Sequence, residues 1–206
     1  VENAYVLTGF GQIRRDETDS PLDARKGYLL QLRLEPAVST GDATIAFVRT
    51  VAQARIYHTP NNADRYTLAA RTRLGWVEPI GGDDNDLPLD RRFYAGGGGS
   101  VRGYAFNSIY PEQRLRIGVA PGGQGLAEVS GEVRARFTKT LGGVAFIDGG
   151  NAFQTFDEAG DMRWGVGVGA RYDLGFAPLR FDIAVPLDPR PQDDKVAFYV
   201  SIGQAF

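Results

Sequence analysis

The sequence predicts an all-β fold, an antiparallel transmembrane β-barrel, and three observations carry that expectation. Apolar and polar residues alternate with period two in one segment after another. The alternating segments are longer than ordinary strands, and the face opposite the apolar one carries charges of both signs. No apolar spacing of three or four is sustained over a dozen positions, so helix signals are scarce.

Taken in order, the first expected strand covers 4–14 and the second 27–36, where Tyr28, Leu30, Leu32 and Leu34 alternate with Leu29, Gln31, Arg33 and Glu35. A third covers 44–57. In 65–78, Tyr66, Leu68, Ala70, Leu74 and Trp76 share one parity with Thr72, while Thr67, Arg71 and Arg73 take the other. In 128–138, Val129, Val133, Ala135 and Phe137 stand opposite Glu128, Ser130, Glu132, Arg134 and Arg136. Segments 143–153, 163–172, 179–187 and 195–206 bring the expectation to about nine strands. Their lengths suit strands crossing a bilayer at a tilt, which takes roughly 9–11 residues, against about five or six in globular sheets. Turn chemistry separates them, at 16–23, Ser39-Thr40-Gly41-Asp42, Pro60-Asn61-Asn62, Gly160-Asp161 and the proline-containing stretch 188–194.

Alternation alone is shared with soluble barrels and sandwiches, because it does not say whether the apolar face meets lipid or a core. The other face favours lipid outside and water inside. Arg33 with Glu35, Arg71 with Arg73, and Glu132 with Arg134 and Arg136 suit a wide lumen in which opposite charges pair. Trp76, Trp164, Tyr172 and Tyr199 are candidates for interfacial aromatic girdles, although core packing uses the same residue types.

Composition narrows the function classes. The 206 residues carry 23 basic and 25 acidic side chains, a net charge of −2, and the bases are scattered, which argues against nucleic-acid binding. With no cysteine, disulfides, thiolate metal sites and cysteine nucleophiles are excluded together. His58 is the single histidine, so multi-histidine metal sites and histidine-based catalysis are excluded too. Mean hydropathy is −0.24 and no apolar run approaches the roughly 18 residues of a membrane helix, a result compatible with a barrel. Val1 to Tyr5 holds no basic region leading into an apolar core, so no signal peptide is expected there; a mature protein and a fragment both fit. No linker divides the chain, and one domain over 1–206 is expected.

The segment of about 79–125 is far longer than a hairpin requires. Its middle reads Phe93-Tyr94-Ala95-Gly96-Gly97-Gly98-Gly99-Ser100-Val101-Arg102-Gly103-Tyr104. Downstream come Ser130-Gly131-Glu132 and Phe146-Ile147-Asp148-Gly149-Gly150, then Asn151-Ala152-Phe153. In this order the three stretches resemble signatures of the BamA/TamA superfamily of outer-membrane barrel assembly and translocation factors (the bacterial surface antigen family), closest to its TamA-like members. They match an aromatic and glycine stretch leading into Val-Arg-Gly-Tyr, a Ser-x-Glu strand and a Phe-x-Asp-x-Gly strand. The resemblance runs from about Arg71 to Phe206; before that only strand spacing supports it.

The residues have a physical reading of their own. Gly96, Gly97, Gly98, Gly99 and Gly103 allow positive φ and tight packing, as a loop tucked inside a barrel requires. Arg102 is a forked cation suited to carboxylates. Glu132 shares the polar parity, whereas Asp148 shares its parity with Phe146, which leaves its direction open. Arg102 is therefore expected to pair with Asp148, Glu132 or both, with Gly103, Tyr104 and Gly150 in the same anchor. The bland alternative is an exposed loop arginine.

The resemblance implies a barrel of sixteen strands, of which this chain supplies the carboxyl-terminal part, with no periplasmic soluble module within it. It further implies insertion or translocation of other proteins at the outer membrane of a Gram-negative bacterium or a related organelle, without covalent chemistry or cofactor. Membrane lipid, client outer-membrane or secreted proteins, and an inner-membrane or periplasmic partner are the expected contacts. For a fragment three outcomes are open: closure as a smaller barrel, self-association through open strand edges, or an unnatural pairing. Phe206, on the parity of Val196, Phe198, Val200 and Ile202, is implied to be an insertion signal. Three rivals remain: a two-partner secretion pore, a passive porin or surface antigen, and a soluble ligand-binding barrel.

Other motifs carry less. The glycine run lacks the Lys-Ser/Thr of a phosphate loop, and residues 98–102 do not spell Gly-x-Ser-x-Gly around Ser100. Asp83, Asp84, Asn85, Asp86 and Asp90 lack the ligand spacing of a calcium loop and read as solvated, as do Asp188, Asp193 and Asp194.

Overall fold

The computed structural model describes residues 5–40, 44–60, 65–82, 86–111, 122–203 and 206. Ten strands form one antiparallel sheet: β1 (Tyr5–Thr8), β2 (Gly11–Asp16), β3 (Gly27–Thr40), β4 (Ile45–His58), β5 (Tyr66–Ile80), β6 (Gly125–Arg136), β7 (Leu141–Phe153), β8 (Arg163–Asp173), β9 (Pro178–Pro186) and β10 (Ala197–Ile202). Each of β3 to β9 pairs with the next in sequence, and β1 and β2 both pair with β3. Among the described residues no ladder joins β10 to β1 or β2, so the sheet is an open arc of a barrel.

The nine expected strands are present, with three differences. The first is divided into β1 and β2 on one continuous register. The division lies opposite Pro36, whose carbonyl accepts from Gly9 N–H at 2.9 Å but which has no N–H to return. That same orientation lets β3 run through Pro36 to Thr40 instead of ending there, because the missing donor faces the first strand and not β4. The last strand stops at Ile202, well short of Phe206.

Burial inverts the pattern of a water-soluble sheet. Along one cross-strand row, Leu68, Val133, Ala145, Val168, Ile183 and Phe198 stand side by side, and the large members are exposed, Val168 at 61% and Phe198 at 72%. On the opposite face Arg71, Glu128, Ser130, Glu132, Arg134, Asp148, Arg171, Arg180 and Asp182 are buried. An apolar belt with no protein cover is a liability in water and the required surface in lipid. No helix among the described residues is long and apolar enough to cross a membrane.

The described part of the chain between β5 and β6 lies against the charged face. Short antiparallel bridges, Phe93 with Gly123 and Ala95 with Ile109, give it a folded stem. Phe93, Ala95, Val101, Tyr104 and Ile109 join Phe47, Val77, Leu126 and Ala152 in the main apolar cluster. Its contacts reach β4 through Arg49 over the Phe93 ring, β5 through Arg71, and β10 through Tyr199, so the sheet curls around it.

Candidate functional site

Three neighbouring cross-strand rows build the site. One aligns Arg71, Ser130, Asp148 and Gly165; the next Ala69, Glu132, Phe146, Gly167 and Ala184; the third Thr67, Arg134, Val144, Gly169, Asp182 and Tyr199. Inward side chains two residues apart on a strand lie on one face, so the rows bring three carboxylates to one patch.

Arg102 fills that patch. Its Nε donates to Asp148 Oδ2 at 2.6 Å and its Nη2 to Oδ1 at 2.9 Å, a two-pronged pair, while its main-chain N–H donates to the same carboxylate at 3.1 Å. Nη1 lies 2.8 Å from Glu132 Oε1 and 3.3 Å from Asp182 Oδ2. The guanidinium sits 3.4 Å from the Phe146 ring centroid, so Phe146 shares the parity of Asp148 because both face inward. Burial opposes the charge of Arg102, but the hydrogen bond to Asp148 and the fields of Asp148, Glu132 and Asp182 outweigh it and raise its pKa. The residue is cationic at every accessible pH.

Each carboxylate has a second partner. Ser130 Oγ donates to Asp148 at 2.5 Å, Arg134 pairs with Glu132 at 2.8 Å, and Asp182 pairs with Arg171 at 2.5 Å and Arg180 at 2.7 Å. A buried charge is tolerable only when paired and hydrogen-bonded, which this network provides. Further along the loop, Ser100 donates to Glu128, and Arg71 donates to the carbonyls of Gly99 at 2.7 Å and Ser100 at 3.1 Å.

Gly103 and Tyr104 complete the contact. Gly103 has φ +104, and a Cβ there would meet the Val185 carbonyl carbon at 2.9 Å, so only glycine fits. Tyr104 is fully buried, with its hydroxyl donating to the Asp188 carbonyl at 3.1 Å. Gly150 leaves room for Val101, whose Cγ2 would lie 2.7 Å from an added Cβ. Gly96 and Gly97 have positive φ; Gly98 and Gly99 do not, contrary to expectation. Gly98 lies against the Tyr199 ring, while Gly99 faces open space.

Two placements correct the sequence reading. Tyr199 is not a girdle residue: its hydroxyl accepts from Gly103 N–H at 3.0 Å and donates to the Tyr104 carbonyl at 3.1 Å. Phe206 does not continue the outward parity of β10. Gly203, at φ +90, ends the strand, and the Phe206 ring lies buried beside Tyr57. Of the acidic loop residues, Asp83, Asp84 and Asn85 lie outside the described residues.

Sequence reasoning missed Asp182, Tyr199 and the glycines of β8. Asp182 was legible as an inward member, with Arg180, of Arg180-Phe181-Asp182-Ile183. Gly165, Gly167 and Gly169 alternate with outward Val166 and Val168, and an added Cβ at Gly165 would stand 1.9 Å from the Arg102 carbonyl oxygen. Tyr199→Phe, which removes both hydroxyl bonds, is expected to lower stability by about 1–2 kcal/mol. The urea midpoint of the detergent-solubilised full-length protein measures it, and an unchanged midpoint would show that the hydroxyl contributes nothing.

A lipid-facing strand belt around a charged interior, closed over by a loop pinned at a buried arginine, defines an outer-membrane β-barrel with an inward-folded loop. The Omp85 superfamily domain model matches residues 7–206, and the chain belongs to that superfamily. It is 31% identical to an outer membrane protein assembly factor BamA of Nitratidesulfovibrio vulgaris, over 93% of this chain and 24% of that protein. A second BamA, from Neisseria meningitidis serogroup B, is 24% identical over 93% of this chain and 28% of its own length. The crystal structure of BamA from Haemophilus ducreyi lacking POTRA domains 1–3 superposes with a TM-score of 0.73 at 17% identity, over 93% of this chain and 41% of that one. The chain thus spans about a quarter of the length of these curated relatives.

Proposed function

We propose that this barrel region belongs to a protein that inserts or translocates other proteins at the outer membrane, and that the loop centred on Arg102 is the part its machinery requires. The carrying observation is a cation sealed among Glu132, Asp148 and Asp182 on the inner face of a lipid-facing strand belt. An open edge offers an incoming strand the backbone partners that lipid lacks. In this reading Arg102, Gly103, Tyr104, Glu132, Asp148 and Gly150 anchor the loop, Gly96, Gly97, Gly98 and Gly99 shape its path, and Phe206 belongs to the barrel's own insertion signal. Clients and lipid are the expected partners, with an inner-membrane or periplasmic protein beside them. Placement beside TamA-like members rests on motif spelling; both curated relatives above carry the BamA name.

Reconstitution of the full-length protein into liposomes tests the proposal. Urea-unfolded outer-membrane barrels of several kinds are added, and their folding is followed by the heat-sensitive mobility of folded barrels on gels. Faster folding than in empty vesicles, lost with Arg102→Ala, is the expected result. No acceleration would leave a passive pore, and release of one dedicated substrate alone would leave a secretion pore.

A further inference from the structure

The seat of Phe206 is built from side chains that also hold the loop. Its ring centroid lies 6.4 Å from that of Tyr57 on β4, 5.4 Å from the Arg71 guanidinium on β5 and 5.5 Å from the Arg134 guanidinium on β6. Arg134 Nη2 also donates to the Phe206 carbonyl at 3.4 Å, and Ala24 and Ala69 complete the buried cluster. Two cations around one ring select an aromatic over an aliphatic group of similar size, because the ring face is electron-rich.

Neither cation serves Phe206 alone. Arg71 donates to the loop carbonyls of Gly99 and Ser100. Arg134 pairs with Glu132 Oε2 at 2.8 Å, and the other oxygen of that carboxylate lies 2.8 Å from Arg102. The ring and the loop tip are therefore linked by one residue on one side and by two on the other. A shift of either guanidinium toward or away from the ring is a shift relative to the loop.

We propose that Tyr57, Arg71 and Arg134 form a binding site for an aromatic side chain, filled here by Phe206, and that its occupancy is coupled to docking of the loop. The inference rests on the inner-face geometry and stands whether or not the protein assembles clients. The ligand class is a phenyl or phenol group on a polypeptide, and the coupling runs both ways by linkage.

Val101→Cys in the full-length protein, with any cysteine outside this chain replaced, gives the reporter. Val101 is fully buried and the chain has no cysteine, so a maleimide reacts at this position only when the loop lifts. Phe206→Leu keeps apolar volume without the ring and is expected to speed labelling about tenfold, the loss of a desolvated cation–π contact. Phe206→Tyr should label at the parent rate. In Phe206→Ala, millimolar N-acetylphenylalanine amide should slow labelling toward the parent rate, and N-acetylleucine amide should not. Equal rates for the parent and Phe206→Leu would overturn the coupling. Equal protection by both amides, or by neither, would overturn the aromatic site. Heat-sensitive gel mobility monitors folding, and if Phe206→Ala does not fold, the leucine and tyrosine variants decide.

Discussion

Arg102→Ala in the full-length protein is expected to cost about 3–5 kcal/mol of folding stability, the range for breaking a buried pair from one side. The reason lies in what remains. Asp148 would keep the Ser130 hydroxyl but lose its two-pronged cation, and Asp148 is 1% exposed, too little for water to replace it. Arg102→Lys should recover only part of the loss, since an ammonium cannot span Asp148 with two prongs and still reach Glu132 and Asp182. Exchanging the charges, Arg102→Asp with Asp148→Arg, is expected to fail as a rescue. The new carboxylate would face Glu132 and Asp182, so three negative groups would share the patch. Urea midpoints of the single and double variants in detergent measure this. Full rescue by the exchange would show that Arg102 serves Asp148 alone and that the other two carboxylates are bystanders.

The second large effect is expected at Gly165, which lies on β8 across from Asp148 and carries no side chain. A methyl group there would overlap the Arg102 carbonyl oxygen, a main-chain atom, so no rotamer change relieves it. Overpacking of a filled interior typically costs about 1–3 kcal/mol, and here the movable partner is the loop. Gly165→Ala should therefore displace the loop while leaving the sheet paired, and limited proteolysis of the segment between β5 and β6 should become faster. Gly131→Ala is the matched control, since an added Cβ there meets only Ile147 Cγ2, at 3.8 Å. Equal proteolysis of the two variants would mean that β8 is not part of the socket.

These effects differ in how far the sequence foretold them. The alternation of Glu128 to Arg136 announced which side chains of β6 face inward, and the Val-Arg-Gly-Tyr run singled out Arg102. Asp148 was ambiguous because the aromatic beside it in the pattern, Phe146, reads as outward until the guanidinium above its ring is known. Tyr199 read as an interfacial aromatic and Phe206 as part of the last strand. Both face inward, one to hold Gly103 and Tyr104, the other to pack beside Tyr57.

By itself the sequence determined the strands, the two unlike faces and the cation destined for the interior, because period two and charge are local properties that one segment displays alone. The tertiary structure decided which carboxylates meet that cation, why β8 alternates glycine with valine, and where the Phe206 ring rests. Those depend on register between strands distant in the chain: Asp182 stands 80 residues from Arg102, and only the pairing of β6 through β9 brings them within 3.3 Å.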